Sequence, residues 1–394
     1  MCGISGFIGN KTAFKRILGS LLQLQNRGYD SAGISVLENG EIITRKHAST
    51  NEHTALELLS IYDSESNIGI GHTRWATHGA KTDINSHPHV SFNSKFSLVH
   101  NGIIENYQDI KTFLASKGIN NKSQTDTEVI VNLIAHYFEE SSNVMDAIEK
   151  TSTQLTGTWG IAVLYKDEPE KIYCTRHGSP LLIGVDDAMA MVTSEQSGFC
   201  NLFTKYIVLN NQDICTIEYT DDKIKIVTKD IYVEKNTLNT NNSLTPAPYP
   251  HWTIKEINEQ VDSSLRAISL GGRLLSSNEV KLGGLDDNIA TLQEIDNIII
   301  LGCGTSYHAG MIGVVYFKEI CEFNSVQLFD GAEFTKYDIP KFGKTAIILL
   351  SQSGETKDLH RCIKIAQEKE LFMIGLVNVV DSLIAREVHC GCYL

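Results

Sequence analysis

The first nine residues of the chain read MCGISGFIG, a cysteine beside a glycine and then a short apolar run. The run from Ile4 to Ile8 predicts a strand, and the helical spacing of apolar residues from Ala13 to Leu24 predicts a helix after it. Because the residue next to Met1 is small, we expect Met1 to be removed, which makes Cys2 the first residue.

A free N-terminal cysteine combines a nucleophile with a base. Its α-amino group, with a pKa of about 7.7–8.0, accepts the thiol proton near neutrality. Taken alone, a cysteine at position 2 is more simply an accident of sequence. The residues downstream therefore decide whether Cys2 is catalytic.

Beyond this start, strand-like runs cluster in hairpins and do not alternate with helices, which favours an α+β fold for the first part. Two extended runs, Ala32–Leu37 and Glu41–Arg45, meet at Asn39-Gly40, the strongest short-range hairpin signal. Further strands are predicted at Ile68–His72, Phe96–His100, Trp159–Tyr165, Lys171–Thr175, Leu181–Val185, Tyr206–Leu209 and Ile214–Tyr219. Helices are predicted at Glu105–Lys117, Asp126–Glu139 and Val144–Leu155.

At 394 residues the chain is too long for one ordinary domain, since single cores rarely exceed about 250–300 residues. Residues 235–250 are polar and irregular, with three prolines and four asparagines, so we predict a domain at 1–234, a linker at 235–252 and a second domain at 253–394. The second domain begins with a helical pattern over Glu256–Leu275 and then alternates strands with helices. This rhythm predicts a parallel α/β sheet, with strands at Asn297–Leu301, Val326–Phe329, Thr345–Leu350 and Leu371–Val377 and helices at Ser306–Ile320 and Thr356–Lys369.

Composition excludes several classes of protein. The chain has 34 Lys and Arg against 47 Asp and Glu, a net charge of −13 that repels the phosphate backbone, so nucleic acid is not an expected partner. No apolar run is long enough to span a membrane, and because the N-terminus lacks a basic region followed by an apolar one, a signal peptide is not expected. The 9 cysteines lack the spacing of a disulfide framework, which favours reduced thiols and a cytoplasmic protein.

A polar block at residues 71–79, GHTRWATHG, follows a predicted strand and suits a polar substrate. The guanidinium of Arg74 can hold a carboxylate, and the carboxylate of Asp126 can hold an ammonium group, so this pair suits an α-amino acid. N-capping of a helix is the alternative use of Asp126. Trp75 is a packing residue by default and a lid over a small cavity if the substrate interpretation holds.

Asn101 and Gly102 follow a predicted strand, where an Asn amide and a Gly N–H suit a developing oxyanion. The alternative is a β-turn, which Asn-Gly also favours. Five histidines between His72 and His100 invite a metal site, but they lack an acidic or cysteine ligand set, so core or loop hydrogen bonding is favoured and no metal is expected.

Two turns of the second domain join a strand to a helix and are rich in hydroxyl and backbone N–H groups. They are Cys303-Gly304-Thr305-Ser306 and Ser351-Gln352-Ser353-Gly354-Glu355-Thr356. Such turns bind anions at helix N-termini, although helix capping by Thr305 and Thr356 explains them equally well. Neither is a Walker loop.

Together these motifs resemble the class II glutamine amidotransferases, and within them the glucosamine-6-phosphate synthase family. The matching stretches are Met1–Ile4, Arg27–Gly33, Gly71–Gly79, His100–Tyr107, Thr125–Glu128 and Arg176–Leu181. The resemblance implies an N-terminal-nucleophile hydrolase, an αββα sandwich in which Cys2 attacks the glutamine side-chain amide. It implies that Asn101 and Gly102 form the oxyanion hole and that Trp75 gates the path of ammonia. It assigns the amino-acid end of glutamine to Arg74, Thr77, His78 and Asp126.

For the second domain the resemblance implies a sugar isomerase fold that binds a ketohexose phosphate through the two turns. The implied complete enzyme hydrolyses glutamine and passes ammonia to fructose 6-phosphate, giving glucosamine 6-phosphate and glutamate. It needs no cofactor and is expected to be a homo-oligomer. The family carries two sugar isomerase subdomains, and we expect this chain to end within the first, so that the isomerase residues lie beyond Leu394. One departure is Val261, where the family has a proline, which we expect to alter the interdomain hinge.

Rival interpretations remain. A phosphoribosyl amidotransferase would have paired acids in its acceptor loop, whereas Val379-Val380-Asp381-Ser382 has one. A glutaminase-only fragment, or a non-catalytic sugar-phosphate-binding protein, would keep only part of the chemistry. Glutaminase activity distinguishes an enzyme from the non-catalytic sugar-phosphate-binding protein.

Overall fold

The computed structural model of the chain describes residues 2–25, 28–75, 80–237, 246–268, 272–277, 279–379 and 382–394. The chain divides into two compact units, Met1–Leu244 and Thr245–Leu394, and this division falls within the stretch predicted as a linker. Among the described residues no helix is long and apolar enough to cross a membrane.

Two antiparallel sheets form the centre of the first unit. Its described strands are β1 (Gly3–Gly9), β2 (Ser31–Glu38), β3 (Glu41–Ala48), β4 (Ile68–Arg74), β5 (His89–Val90), β6 (Phe96–Ile104), β7 (Gly157–Tyr165), β8 (Lys171–His177), β9 (Leu182–Val185), β10 (Met189–Thr193), β11 (Lys205–Val208), β12 (Ile214–Thr220), β13 (Lys223–Val227) and β14 (Lys235–Asn236). In the described part of the unit, the larger sheet has the order β14-β11-β9-β10-β1-β4-β2-β3 and the smaller one β13-β12-β8-β7-β6-β5.

Helices cover the outer face of each sheet. They are α1 (Ala13–Gln23), α2 (Ala55–Leu59), α3 (Tyr107–Ser116), α4 (Asp126–Ser141) and α5 (Val144–Gln154). The first two pack on the larger sheet and α4 and α5 on the smaller one. Side chains alternate along a strand, so Ile4 and Ile8 of β1 join the core between the sheets while Phe7 packs under α1. The result is the predicted αββα sandwich.

The local signals of the sequence are visible in this unit. Asn39 and Gly40 both adopt positive φ, 52° and 76°, as a tight hairpin turn between β2 and β3 requires. The short strands β5, β10, β13 and β14 and the helix α2 were not predicted, because each is only two to five residues long, too short for its side-chain period to show in the sequence.

A parallel sheet forms the core of the second unit. The described strands of this unit are β15 (Leu274–Ser276), β16 (Glu279–Val280), β17 (Asn297–Gly302), β18 (Ser325–Asp330), β19 (Thr345–Ser351), β20 (Phe372–Val377) and β21 (Cys390–Tyr393). Its described helices are α6 (Trp252–Asn258), α7 (Gln260–Ala267), α8 (Ile289–Leu292), α9 (Thr305–Ile320), α10 (Lys357–Glu368) and α11 (Leu383–Glu387). Over the described residues the sheet order is β18-β17-β19-β20-β21, with every neighbouring pair parallel.

One predicted helix is wrong in its extent. The pattern over 256–275 predicts a single helix, but the structure has α6 and α7 and then the strand β15, which pairs with β16. A Gly-Gly pair at 271–272 disfavours helix, and it lies between α7 and β15.

The order of the parallel strands places the two polar turns together. From β17 the chain crosses to β18 on one side and then to β19 on the other, so β17 and β19 are neighbours whose connections leave in opposite directions. Ligands of open α/β sheets bind at the carboxyl ends of strands at such a switch point. The turns after β17 and β19 both lie at this edge.

Candidate functional site

Cys2 lies at the start of β1, beside the end of β4. The backbone N–H of Trp75 points to its sulfur, with N and Sγ 3.3 Å apart, and the thiol lies 3.7 Å from the carbonyl oxygen of the same residue. A Cβ at Gly3 would lie 2.7 Å from Thr73 Oγ1, so only glycine lets the two strands approach this closely. The strand pairing therefore delivers a partly exposed thiol to the carboxyl end of β4.

Asn101 and Gly102 lie inside β6, so the β-turn alternative is wrong for them. The Asn101 side chain donates from Nδ2 to the carbonyl oxygen of Cys2 at 3.0 Å. Gly102 has a φ of 135°, and a Cβ there would overlap the carbonyl oxygen of Thr158 on β7. The backbone at this point is thus one that only glycine adopts without strain.

Arg74 interacts electrostatically with both Cys2 and Asp126. Burial lowers the pKa of Arg74, while the nearby charges of Cys2, Asp126 and Asp30 act in the opposite direction. Asp126 is the first residue of α4 and accepts a hydrogen bond on Oδ2 from Ile104 N at 2.9 Å. The N-cap is Thr125, whose hydroxyl accepts from Glu128 N, so N-capping does not explain Asp126.

Trp75 is 43% exposed and packs edge-on against the ring of Tyr29, with centroids 5.3 Å apart. It is therefore not a core packing residue. Thr77 and His78, together with Arg27 of the matching motif, lie outside the described residues. Tyr29 beside Trp75 was not singled out from sequence, although it lies within a matching motif.

Behind the Asn101 side chain lies a buried group of histidines. His72 stacks on His87 with centroids 4.1 Å apart, and His87 meets His89 edge-on at 5.0 Å. Burial is the main cause that lowers the pKa of His72 to about 3 and holds the pKa of His87 and His89 well below the usual 6.5. All three rings are therefore neutral at physiological pH.

Lys46 stabilises the segment that carries His87 and His89. Its ammonium donates to the carbonyl oxygens of Ser86 at 2.7 Å and Pro88 at 3.2 Å, and burial lowers its pKa to about 8. Among the described residues no group of three His, Cys, Asp or Glu side chains is arranged to hold a metal ion.

In the second unit, neither threonine of the two turns caps a helix with its side chain. Thr305 is the first residue of α9, whose N-cap is Gly304 with φ at 59°. Thr356 occupies the N-cap of α10 but makes no capping bond, and its hydroxyl lies 2.9 Å from Ser351 Oγ. The hydroxyl of Ser351 also accepts from Gly354 N at 3.0 Å.

A cavity of about 340 Å³ opens beside these turns. Its polar lining comes from Ser306, Ser351, Gln352 and Asn378, and its apolar lining includes Ile300 and Ile348 of the sheet. The remaining predicted residues of the two turns, Cys303, Gly304, Thr305, Ser353 and Thr356, do not line the cavity. Burial raises the pKa of the Cys303 thiol, which lies close to Gly331.

Two family models match the chain, a glutamine amidotransferase domain at residues 72–201 and a SIS domain at residues 291–394. A probable glutamine–fructose-6-phosphate aminotransferase (isomerizing) of Acanthamoeba polyphaga mimivirus is 41% identical over 402 residues, covering 100% of this chain and 65% of the relative. The enzymes of that name from Clostridium perfringens and Aquifex aeolicus are 35% and 36% identical, covering 100% and 98% of this chain and 64% and 63% of theirs. The chain thus spans less than two thirds of the length of these relatives.

Solved structures show the same fold. Glutamine phosphoribosylpyrophosphate amidotransferase from B. subtilis, complexed with ADP and GMP, aligns with a TM-score of 0.50 and 18% identity over 100% of this chain and 90% of that chain. A structure described as the allosteric regulatory enzyme of purine biosynthesis gives the same TM-score and identity over 95% of this chain and 80% of that chain. The predicted N-terminal-nucleophile αββα sandwich followed by an α/β sugar isomerase domain is confirmed.

Proposed function

This chain belongs to the family of glutamine–fructose-6-phosphate aminotransferases, and from that premise we propose that its first unit hydrolyses glutamine at Cys2. We propose that the complete enzyme passes the ammonia to fructose 6-phosphate bound by the sugar isomerase domain. The products are glutamate and glucosamine 6-phosphate. The observation that carries the proposal is that Asn101 Nδ2 bonds to Cys2 and that the charge of Arg74 interacts with both Cys2 and Asp126.

The proposed chemistry starts with the α-amino group of Cys2, free after removal of Met1, taking the thiol proton. The sulfur adds to the side-chain amide carbon of glutamine, and the carbonyl oxygen becomes an oxyanion. One Nδ2 hydrogen of Asn101 is bonded to the Cys2 carbonyl oxygen, which leaves the second hydrogen, with Gly102 N–H, for that oxyanion. As the intermediate collapses, the amide nitrogen takes the proton from the α-ammonium group and leaves as ammonia, and water then hydrolyses the thioester to glutamate and the thiol.

Recognition of glutamine is assigned to the charge of Arg74, which interacts with Cys2, and to the charge of Asp126, which interacts with Arg74. Arg74 is 3% exposed and Asp126 is 6% exposed, so an ion pair with the α-carboxylate or the α-ammonium group forms in a weakly screened environment. Thr77 and His78 complete the proposed glutamine site, and Trp75 is the proposed gate for ammonia.

The proposed sugar-phosphate site is the cavity at the ends of β17 and β19. Ser306, Ser351 and Gln352 line it, and Cys303, Gly304, Thr305, Ser353 and Thr356 shape the turns that carry them. Hydroxyl groups at the start of α9 suit a phosphate, since the N-terminus of a helix attracts anions.

Residues 1–234 are the proposed glutaminase domain, 235–252 the linker and 253–394 the first sugar isomerase domain. We further propose a cytoplasmic location, which the nine free cysteines support. We propose self-association of the complete enzyme, for which the exposed apolar residues Met311, Ile312 and Val315 of α9 offer contact area. Light scattering, which measures the molar mass in solution, tests the proposed self-association of the complete enzyme.

The decisive experiment incubates the purified chain with glutamine and measures glutamate. Intact mass should show loss of Met1, and Cys2→Ala should abolish glutamate release while leaving the circular dichroism spectrum unchanged. Cys200→Ala is the matched control, because Cys200 is a partly exposed thiol for which no role is proposed. Retained activity in Cys2→Ala, or full activity with Met1 in place, contradicts the mechanism. Aminosugar formation with fructose 6-phosphate is assayed on the complete enzyme.

A further inference from the structure

A continuous set of hydrogen bonds runs from a backbone carbonyl to the proposed oxyanion donor. His72 Nε2 lies 3.0 Å from the carbonyl oxygen of His100 and 3.0 Å from Asn101 Oδ1. Asn101 Nδ2, on the other side of the same amide, donates to the Cys2 carbonyl oxygen at 3.0 Å. His72 is fully buried on β4, and Asn101 lies on β6 of the facing sheet.

The chemistry of these atoms fixes the tautomer of His72. A carbonyl oxygen only accepts hydrogen bonds, so Nε2 must carry the hydrogen that it shares between its two neighbours. Nδ1 is then the unprotonated nitrogen, and it is buried without a hydrogen-bond partner among the described residues. The ring faces His87 and stands near Arg74, and both oppose a positive charge on it.

The tautomer in turn fixes the orientation of the Asn101 amide. An Nε2–H group must face an oxygen, so Oδ1 points to His72 and Nδ2 points to Cys2. In the flipped amide, Nδ2 would meet the N–H of His72 while Oδ1 would meet the Cys2 carbonyl oxygen. We propose that His72 is a positioning residue that holds the Asn101 amide with its donor toward Cys2. The inference rests on the proposed glutaminase function.

Loss of the His72 donor leaves Asn101 Oδ1 buried and unpaired, with only the Cys2 carbonyl to orient the amide. We therefore expect His72→Met to lower kcat for glutamine hydrolysis about tenfold, with KM within twofold, because the hydrogen bonds of His72 go to His100 and Asn101 and not to Arg74 or Asp126. Asn101→Ala should lower kcat about a hundredfold, the usual loss for one oxyanion donor. His72→Gln places its amide nitrogen near the position of Nε2 and should recover most of the activity.

The double variant separates positioning from a general structural role. If His72 acts only through Asn101, adding His72→Met to Asn101→Ala produces no further loss of kcat. A multiplied loss, or a failure of His72→Gln to recover activity while it folds normally, overturns the inference. His89→Met is the matched control, since His89 belongs to the same buried group but bonds to Thr125, and its kcat should stay within twofold of wild type.

A readout independent of activity keeps this inference distinguishable from the proposed function. In histidine labelled with nitrogen-15, the ring of His72 should report the neutral Nε2–H tautomer from pH 5 to pH 8. An Nδ1–H or charged ring refutes the inference even in an active enzyme. An inactive wild-type chain refutes the proposed function, and the tautomer then decides the inference alone.

Discussion

Acidification should destabilise the first unit through its buried histidines. His72, His87 and His89 are at most 5% exposed, and Arg74 and Lys46 add positive charge around them. Where folding lowers the pKa of a histidine, the free energy of unfolding is highest above the unfolded pKa of about 6.5, because the ring is neutral in both states there. That stability is lost as the pH falls from there toward the folded value, which is about 3 for His72.

The magnitude follows from proton linkage. Between pH 7.5 and pH 5.5 each histidine of the unfolded chain gains most of a proton, which favours unfolding by about 1.4 kcal/mol if the folded ring stays neutral. Over this pH range His72 alone lowers the free energy of unfolding by about 1.4 kcal/mol, and the three histidines together lower it by about 4 kcal/mol. A loss of that size is a large part of the 5–15 kcal/mol typical of a domain.

Urea unfolding at the two pH values measures this loss. Trp75→Phe with Trp252→Phe leaves Trp159, buried in the first unit, as the single reporter among the 3 tryptophans of the chain. His89→Gln in this background should reduce the loss by about 1.4 kcal/mol, whereas His53→Gln, at an exposed site, should leave it unchanged. A total loss under about 1 kcal/mol, or an unaltered loss in His89→Gln, refutes the reasoning.

Three other outcomes are expected. Arg74→Lys, which keeps the charge but removes the planar fork, should raise KM for glutamine by about tenfold or more with a smaller change in kcat, and an unchanged KM in steady-state assays contradicts its role. Gly102→Ala should destabilise the chain by more than about 3 kcal/mol in urea unfolding because its Cβ overlaps Thr158, while Gly19→Ala, in an open position of α1, should stabilise it by about 0.5–1 kcal/mol; equal effects would rule out the packing argument. Ser351→Ala should weaken fructose 6-phosphate binding by about tenfold in calorimetry on the complete enzyme, since it removes the hydroxyl that holds Gly354 N, and unaltered affinity would place the phosphate elsewhere.

Local signals in the sequence determined most of the regular structure. The Asn39-Gly40 turn needs only two residues with positive φ, and α9 and α10 are predicted within a residue or two because their apolar spacing repeats over several turns. The role proposed for Cys2 was predicted from its position at the start of the chain together with the motifs downstream.

Only the tertiary structure decided how these parts meet. Asn101 bonds to a residue 99 positions away, and Asp126 receives the backbone N–H of Ile104 from another element. Nothing in the sequence near His72 indicates that its ring lies between His87 and Asn101, because that contact depends on how two sheets stack. Sequence spacing encodes the period of a strand or helix, but strand order and sheet packing arise from burial summed over the whole core, and these decide which polar groups share a site.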